Sequence, residues 1–353
     1  MSVFDHPEFD AHEWVNFVRD VDAKLTAIIA VHSTALGPTC GGTRMYNYAT
    51  HAAALTDVLR LSRAMSYKSS MAGLPLGGGK AVIIGDPARD KSEKLFAAYG
   101  RAVDRLGGVY ITAMDMNTTP ADMQIIARHT KHVAGYNQQG KSGGDSGPMT
   151  ALGVFVGIKA AVKHKLKTDD LKGMRVAVQG LGTVGYRVTR HLHEAGARLI
   201  VSDLDPKKTA QAESEFGAKT VASDQILLAD ADVVSPCALG AVLNEQTIAG
   251  LKAKVVAGGA NNQLANDNCG KLLAERGILF GPDYVVNAGG IICVAGQIFG
   301  WSDSEIERRT RAIAETIAEV FRRADAANEP TNVVADRMAR ERIAAAAAKK
   351  RAA

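Results

Sequence analysis

The sequence predicts an α/β protein of two domains, the second a doubly wound parallel sheet. Three observations predict it. The chain has 353 residues, enough for roughly two domains at ~150 residues each. From residue 174 onward, short apolar runs alternate with amphipathic or polar segments, a β-α-β rhythm that argues for a parallel sheet with helices on both faces. A polar, glycine-rich stretch poor in large apolar residues, GYNQQGKSGGDSGP at 135–148, separates that rhythm from an earlier mixture of strands and helices. The expected boundaries are 1–140 and 141–330, with a terminal helix at about 331–353 that packs back on the first domain.

In the first domain, KLTAIIAV (24–31) is rich in strand formers. AAALTDVLRLSRA (52–64) spaces apolar residues three and four apart and predicts an amphipathic helix. A glycine-rich loop, GLPLGGGK (73–80), is expected to run into a strand, AVIIG. Residues 93–106 predict a second helix and 109–113 a short strand, followed by the polar segment 115–122. In the second domain, 150–163 predicts a helix, then MRVAVQ a strand, YRVTRHLHEAG a helix and ARLIVSD a strand. Further apolar runs stand at ADVVSPCA, KAKVVAGGA and GILFGPDYVV. Residues 305–327 predict one long helix and 333–353 another, rich in alanine and lysine. No internal repeat of fixed period is present.

Composition excludes several classes. Charged residues at 22% and hydrophobic ones at 46% make an ordinary globular composition rather than a disordered one. Lys and Arg exceed Asp and Glu by 42 − 37 = 5, and the cations are scattered, so no nucleic-acid partner is expected. No apolar run approaches the ~18 residues of a membrane helix, and no membrane partner is expected. The start MSVFDHPEFDAHEW is acidic and mixed, unlike a signal peptide. Cys40, Cys237, Cys269 and Cys293 have no C-x-x-C spacing, which argues against a zinc ribbon, a redox pair or a disulfide framework and fits a cytoplasmic protein. His191 and His193 lie two apart on a predicted helix and face different sides, a poor metal-ligand pair; no metal is expected.

Two glycine clusters carry chemistry. Gly180-Leu181-Gly182-Thr183-Val184-Gly185 reads G-x-G-x-x-G, with a predicted strand before it and a predicted helix after it. Gly180 serves the tight turn, Gly182 lets backbone approach a pyrophosphate, and Gly185 lets helix and strand pack closely. The helix N-terminus offers free N–H groups and positive dipole to the anion. Asp203 ends the next strand, eighteen residues past Gly185. A carboxylate there accepts from the adenosine ribose and repels a 2′-phosphate, and Ser202 and Leu204 bring no cation, so NAD is favoured over NADP. The alternative is a structural glycine turn with a surface aspartate.

The second cluster, GLPLGGGKA, fails as a nucleoside-triphosphate loop. Leu74 stands six before Lys80 where glycine is needed, and Ala81 follows where Ser or Thr is needed. It suits a catalytic lysine instead. Lys68 lies twelve residues upstream, and two ammonium groups in one cleft disfavour each other's charge. Lowering a lysine from about 10.4 to about 8 makes a usable base, a differential of about 3 kcal/mol. The plain alternative is a solvated surface charge, more credible for Lys68 than for Lys80. Asp115, after the strand VYITAM, supplies a candidate acid; the alternative is that it caps the next helix.

These runs resemble the glutamate/leucine/phenylalanine/valine dehydrogenase family, closest to its leucine and valine members. The matching segments are GPTCGGTRMYNY, MSYKSSMAGLPLGGGKAVIIGDP, TAMDMNTTPADM, VAVQGLGTVG, PCALG, AGGANNQL and PDYVVNAGG. The resemblance implies an N-terminal α/β domain for substrate and oligomerisation, a C-terminal Rossmann domain for NAD, and a cleft between them that closes. It implies reversible oxidative deamination of an L-amino acid to the 2-oxo acid, ammonia and NADH, by a homo-oligomer. By the same resemblance Lys68 binds the α-carboxylate, Lys80 activates water, Asp115 relays protons, Asn262 orients substrate and cofactor, and Thr150 meets the nicotinamide amide. Cys237, Ala238 and Ala260 line the cofactor, and Gly41 belongs to the substrate site.

The implied side-chain pocket of Cys40, Met65, Ala113, Ile291 and Val294 is apolar. Glutamate members carry a lysine where Cys40 stands, so glutamate is disfavoured. Cys40 is also smaller than the leucine expected of a leucine enzyme, Met114 and Asn117 replace an acid and a glycine, Ile291 replaces a valine, and AGQIFGWS leans toward phenylalanine enzymes. The reading is a branched-chain substrate, leucine foremost, with phenylalanine as its rival and a non-catalytic NAD and amino-acid sensor as the alternative of another class.

Overall fold

The structure, a computed structural model, describes residues 2–136 and 145–352. Most of the separating stretch 135–148, and the expected 140/141 boundary within it, lie outside the described residues. The chain forms two compact units: Met1–Asp145 with Gln297–Gly300 and Ala339–Ala353, and Ser146–Gly296 with Trp301–Met338.

The first unit contains β1 (Trp14–Asp20), β2 (Leu25–Ser33), β3 (Thr39–Tyr46), α1 (His51–Met71), β4 (Gly77–Ile84), α2 (Glu93–Asp104), β5 (Tyr110–Met114) and α3 (Pro120–Ala127). Its five strands lie in the order β1-β2-β4-β3-β5. β1, β2 and β4 pair antiparallel, while β3 runs parallel to both β4 and β5. The near-continuous apolar run of β2 reflects cover on both faces. Leu25, Ala27, Ile29 and Val31 pack with Phe96 and Tyr99 of α2 and Ile126 of α3. Ile28 and Ala30 pack with Ala54, Val58 and Leu59 of α1.

Two expectations change here. The helix expected to end at 64 continues to Met71, stopping where Gly73 takes φ +62. Ser62, Ser66, Ser69 and Ser70 are buried, because small side chains let α1 lie directly on β4. The triple glycine expected as a loop is strand: Gly77, Gly78, Gly79 and Lys80 all belong to β4. A Cβ on Gly78 would sit 2.0 Å from the Ser66 backbone nitrogen. Glycine is there to admit a helix, not to make a turn. The first strand, β1, and the strand β3 carrying TCGGTRMY were not among the elements expected.

Two histidines are buried beside α1. His12 Nδ1 accepts from the Asp10 N–H (3.1 Å), and its Nε2 meets the Leu59 carbonyl (3.1 Å) and Ser62 Oγ (3.0 Å). Its ring lies 4.9 Å from that of His32, which bonds Ser66 at 2.7 Å. Burial, reinforced by the nearby His32, lowers the His12 pKa from 6.5 to about 4. The folded state therefore binds fewer protons than the unfolded one. This contribution, about 3 kcal/mol, is complete above the unfolded value and is lost as pH falls through the folded one. Chemical denaturation is expected to show a smaller loss of stability between neutral and acid pH in His12→Gln than in wild type. An equal loss in both would contradict the assignment.

The second unit contains α4 (Gly147–Leu166), β6 (Arg175–Gln179), α5 (Thr183–Glu194), β7 (Arg198–Ser202), α6 (Pro206–Phe216), β8 (Lys219–Thr220), β9 (Val233–Pro236), α7 (Glu245–Gly250), β10 (Val255–Val256), α8 (Asn268–Glu275), β11 (Leu279–Phe280), α9 (Asp283–Val286), α10 (Gly289–Phe299), α11 (Asp303–Arg311), α12 (Ile313–Ala327) and α13 (Thr331–Ala352). The last three residues of α10 with Gly300 after it, and α13 from Ala339, count with the first unit. The six strands are parallel in the order β11-β10-β9-β6-β7-β8. The chain leaves β6 in one direction for β7 and β8 and returns for β9 on its other side. That reversal makes a switch point at the C-terminal ends of β6 and β9. The single helix expected over 305–327 is two. Thr310 Oγ1 donates back to the Ile306 carbonyl (2.8 Å), a bond that bends helices, and the break falls at Ala312.

Candidate active site

In the first unit, one carboxylate gathers two cations. Lys80 Nζ lies 3.1 Å from Asp115 Oδ2, and Arg44 Nε donates to the same oxygen at 2.9 Å. Lys80 is buried, with 6% of its surface exposed. Burial opposes the charge on Asp115, but the Lys80 ammonium and the Arg44 guanidinium outweigh it and hold the carboxyl below its ordinary value.

Pairing fixes which way Lys80 faces. It stands opposite Ala30, and residues directly opposite in a ladder share a face. Ala30 packs under α1. Lys80 therefore emerges on the side of the sheet that α1 covers, and Lys68 stands in the last turn of α1. Cys40 pairs with Gly78 and Ile111, and Gly42 with Ala113, which puts Cys40 and Ala113 on that same face. Met65 is half-buried on α1, and Gly41 is buried in β3. Cys40 is completely buried. Burial pushes its thiol up to about 12.

Asp115 is not a helix cap. Thr119 caps α3, its hydroxyl accepting from the Asp122 N–H while Asp122 accepts in return from Thr119. The Asp115 N–H bonds Thr118 Oγ1 (3.0 Å), and that hydroxyl reaches the Thr43 carbonyl (2.9 Å). Asn117 takes φ +61 and donates to the Met45 carbonyl (3.0 Å). A left-handed position tolerates Asn as it tolerates Gly, which accounts for Asn117 standing where a glycine was expected.

In the second unit, the six fingerprint residues close the C-terminal end of β6. Gly180 takes φ +88, and a Cβ on Gly185 would sit 1.9 Å from the Gly180 carbonyl oxygen. Gly182 caps α5 without any side-chain bond, and nothing lies within 4 Å of where its Cβ would be. No side chain caps the start of α5, and Gly182 and Thr183 are exposed there, which suits an anionic pyrophosphate. Leu181 is buried, Thr183 is exposed at the helix start, and Val184 packs on Gly259. Ala238 lies against Gly180, and Cys237 Sγ accepts from the Gly259 N–H (3.4 Å). The Ala260 N–H bonds the Pro236 carbonyl (2.9 Å).

Asn262 takes φ +53, with its N–H held by the Asp283 carboxylate at 2.5 Å. Thr150 sits in the first turn of α4 and bonds the Ser146 carbonyl; Gly290, beside Ile291 and Val294 on α10, packs on its hydroxyl.

Asp203 holds more than was expected of it. Its Oδ2 accepts from the Leu181 N–H (2.7 Å) and its Oδ1 from the Asp205 N–H (2.9 Å), so the carboxylate ties the fingerprint turn to the end of β7. Lys208 of α6 lies 3.7 Å away, a cation that its sequence neighbours did not reveal. Asp203→Ala is expected to weaken NAD binding and narrow the preference for NAD over NADP, because Lys208 is then free for a 2′-phosphate. Titration of both nucleotides checks this, and an unchanged ratio would place the ribose elsewhere.

Residues 14–132 match the Glu/Leu/Phe/Val dehydrogenase dimerisation domain, and 201–351 match Glutamate/Leucine/Phenylalanine/Valine dehydrogenase. Leucine dehydrogenase of Geobacillus stearothermophilus is 49% identical over 97% of this chain and 94% of its own. The chain belongs to the glutamate/leucine/phenylalanine/valine dehydrogenase family.

Other members agree. Valine dehydrogenase of Streptomyces virginiae is 44% identical over 96% of this chain and 95% of its own. The crystal structure of L-tryptophan dehydrogenase from Nostoc punctiforme superposes with a TM-score of 0.86 at 44% identity, covering 95% of this chain and 97% of that one. Residues 125–259 also match the NAD-binding domain of D-isomer specific 2-hydroxyacid dehydrogenases. As a member of its family the chain is an amino-acid dehydrogenase, and its cofactor is NAD. Among the described residues no helix is long and apolar enough to cross a membrane.

The sequence reading passed over Arg44, Asp57 and Tyr48. Arg44 Nη1 donates to Asp57 Oδ2 (3.0 Å), and the Tyr48 hydroxyl donates to the same oxygen (2.5 Å). Arg44 lies inside GPTCGGTRMYNY; nothing local marks it, since its partners stand 13 and 71 positions away.

Proposed function

We propose that this family member oxidises branched-chain L-amino acids, leucine foremost, to the 2-oxo acid and ammonia. The observation that carries the reading is the 49% identity to a leucine dehydrogenase across nearly the whole of both chains. NAD, when bound, accepts the hydride from Cα. The first unit binds the amino acid and the second the dinucleotide. Lys68 neutralises the substrate carboxylate and fixes its orientation, turning a bimolecular encounter into a nearly unimolecular step. Lys80 takes a proton from the water that attacks the imine carbon. Asp115 takes at Oδ1 the proton that the substrate ammonium gives up, since its Oδ2 is already held by Lys80 and Arg44. Asp115 then delivers a proton to the departing nitrogen. Asn262 and Thr150 orient substrate and nicotinamide, while Met65, Ala113, Ile291 and Val294 contact the side chain. The protein acts as a homo-oligomer in the cytoplasm. Support for the first comes from the matched dimerisation domain and from Trp14 and Phe17, exposed on the edge strand β1; for the second, from four free cysteines.

An aromatic substrate is the second reading, because L-tryptophan dehydrogenase of Nostoc punctiforme is 46% identical over 97% of this chain. Initial rates of NADH formation at alkaline pH with L-leucine, L-isoleucine, L-valine, L-phenylalanine, L-tryptophan and L-glutamate separate the two. Leucine is expected to give the highest kcat/KM, with one-methylene differences worth about 10–200-fold, and glutamate the lowest. A higher value for either aromatic amino acid would overturn the branched-chain assignment.

A further inference from the structure

We propose that Arg44 is a positioning residue for the deamination site, bridging Asp57 and Asp115 so that Asp115 meets the reacting nitrogen through Oδ1. The inference rests on the reading of Asp115 as proton relay. Arg44 stands opposite Val82 on the face of the sheet that α1 covers, where it meets Asp57 of α1 on one side and Asp115, one residue past β5, on the other. Nε takes Asp115 Oδ2 and Nη1 takes Asp57 Oδ2, so one planar fork spans two carboxylates. The Tyr48 hydroxyl holds the far end of the bridge by donating to Asp57 Oδ2.

Both cations that touch Asp115 do so at Oδ2. Among the described residues Oδ1 receives no donor. A carboxylate fixed in this way has one oxygen committed to the protein and one left for a ligand, with its rotation about the Cβ–Cγ bond blocked. The charges also balance: Lys80 and Arg44 face Asp115 and Asp57. Arg60 on α1 lines the same pocket as Arg44 and Asp57 and lies 3.8 Å from Glu8. Without Arg44 two carboxylates would share one close cation, and Asp115 would hold its proton to higher pH. Lysine cannot replace the fork, since one ammonium on a flexible stem does not present two fixed donors.

The test is steady-state deamination of L-leucine across pH with Arg44→Gln, Arg44→Lys and Asp115→Asn in the full-length protein. Arg44→Gln is expected to lower kcat by about 10²-fold, the cost of a misplaced catalytic group, with little change in KM for leucine and intact NADH binding. The acid limb of its kcat profile is expected to move up by about one pH unit. Arg44→Lys is expected to regain part of kcat and return the limb toward wild type. Wild-type kcat in Arg44→Gln, or a loss of kcat with an unmoved limb, overturns the inference. If Arg44→Gln does not fold, Asp57→Asn releases the same bridge; unchanged kcat there overturns it equally. An active Asp115→Asn overturns the relay reading and this inference with it. An inactive Asp115→Asn beside a fully active Arg44→Gln removes only the role of Arg44.

Discussion

Lys80→Met lowers the rate of amino-acid oxidation by about 10²–10⁴-fold, the range lost with a general base, and leaves NADH binding unchanged. The side chain keeps its length and its place on β4 but loses the one nitrogen that touches Asp115. Asp115 retains Arg44, so the substitution does not strand an unpaired carboxylate in a covered site. The residues that cradle the dinucleotide, Gly180 to Gly185 and Asp203, belong to the other compact unit. Nucleotide binding and turnover should therefore separate. NADH fluorescence titration together with single-turnover oxidation of leucine reads both quantities. Turnover at the wild-type rate would remove Lys80 from the chemistry, and loss of NADH binding would mean the variant reports on folding instead.

Gly78→Ala is expected to destabilise the first unit by at least about 3 kcal/mol, beyond the usual cost of overpacking. The added methyl would sit 2.0 Å from the Ser66 nitrogen, 2.3 Å from its hydroxyl and 2.5 Å from its Cα. Two of those three atoms are backbone in a helix interior and cannot rotate away. α1 must lift from β4, opening the core of Ile28, Ala30, Val58, Leu59 and Val82 and displacing Lys68. Gly73→Ala is the informative contrast. Gly73 has φ +62 but nothing within 4 Å of its Cβ position, so its cost is conformational, about 1–2 kcal/mol. Thermal melts of the two variants should rank Gly78→Ala well below Gly73→Ala. Equal melting temperatures would mean that α1 does not lie on β4 as described.

The contrast between these glycines shows what a sequence reveals and what it withholds. The strand, turn and helix around Gly180 to Gly185 are legible because every part of that signal is local: apolar run, glycines at fixed offsets, amphipathic helix. The same is true of α2 and of β2. The glycines of β4 look like a loop because their requirement is tertiary, a helix 12 residues upstream pressing on Gly78 through Ser66. The join at Ala312 is hidden for a similar reason, since 305–327 has helix-forming residues throughout and the bend comes from where the Thr310 hydroxyl turns.

Within the site, Lys80 could be singled out by its apolar, glycine-rich frame, and Asp115 by its place after a strand. Their pairing could not, because it depends on β3 lying between β4 and β5. Arg44 is the clearest case. An arginine two residues after a Gly-Gly pair has no signature until Asp57 and Asp115 are brought to either side of it. Lys208 beside Asp203 is another, for its approach depends on α6 beginning at Pro206.

A crystal structure of the protein with NADH and the 2-oxo acid of leucine tests the site most directly. The expected result places the 2-oxo oxygen within about 3 Å of Lys80 Nζ, Asp115 Oδ1 turned toward the same centre, and the ligand carboxylate on Lys68. A bound oxo acid with neither Lys80 nor Asp115 in hydrogen-bonding reach of its reacting carbon's oxygen would contradict the assignment.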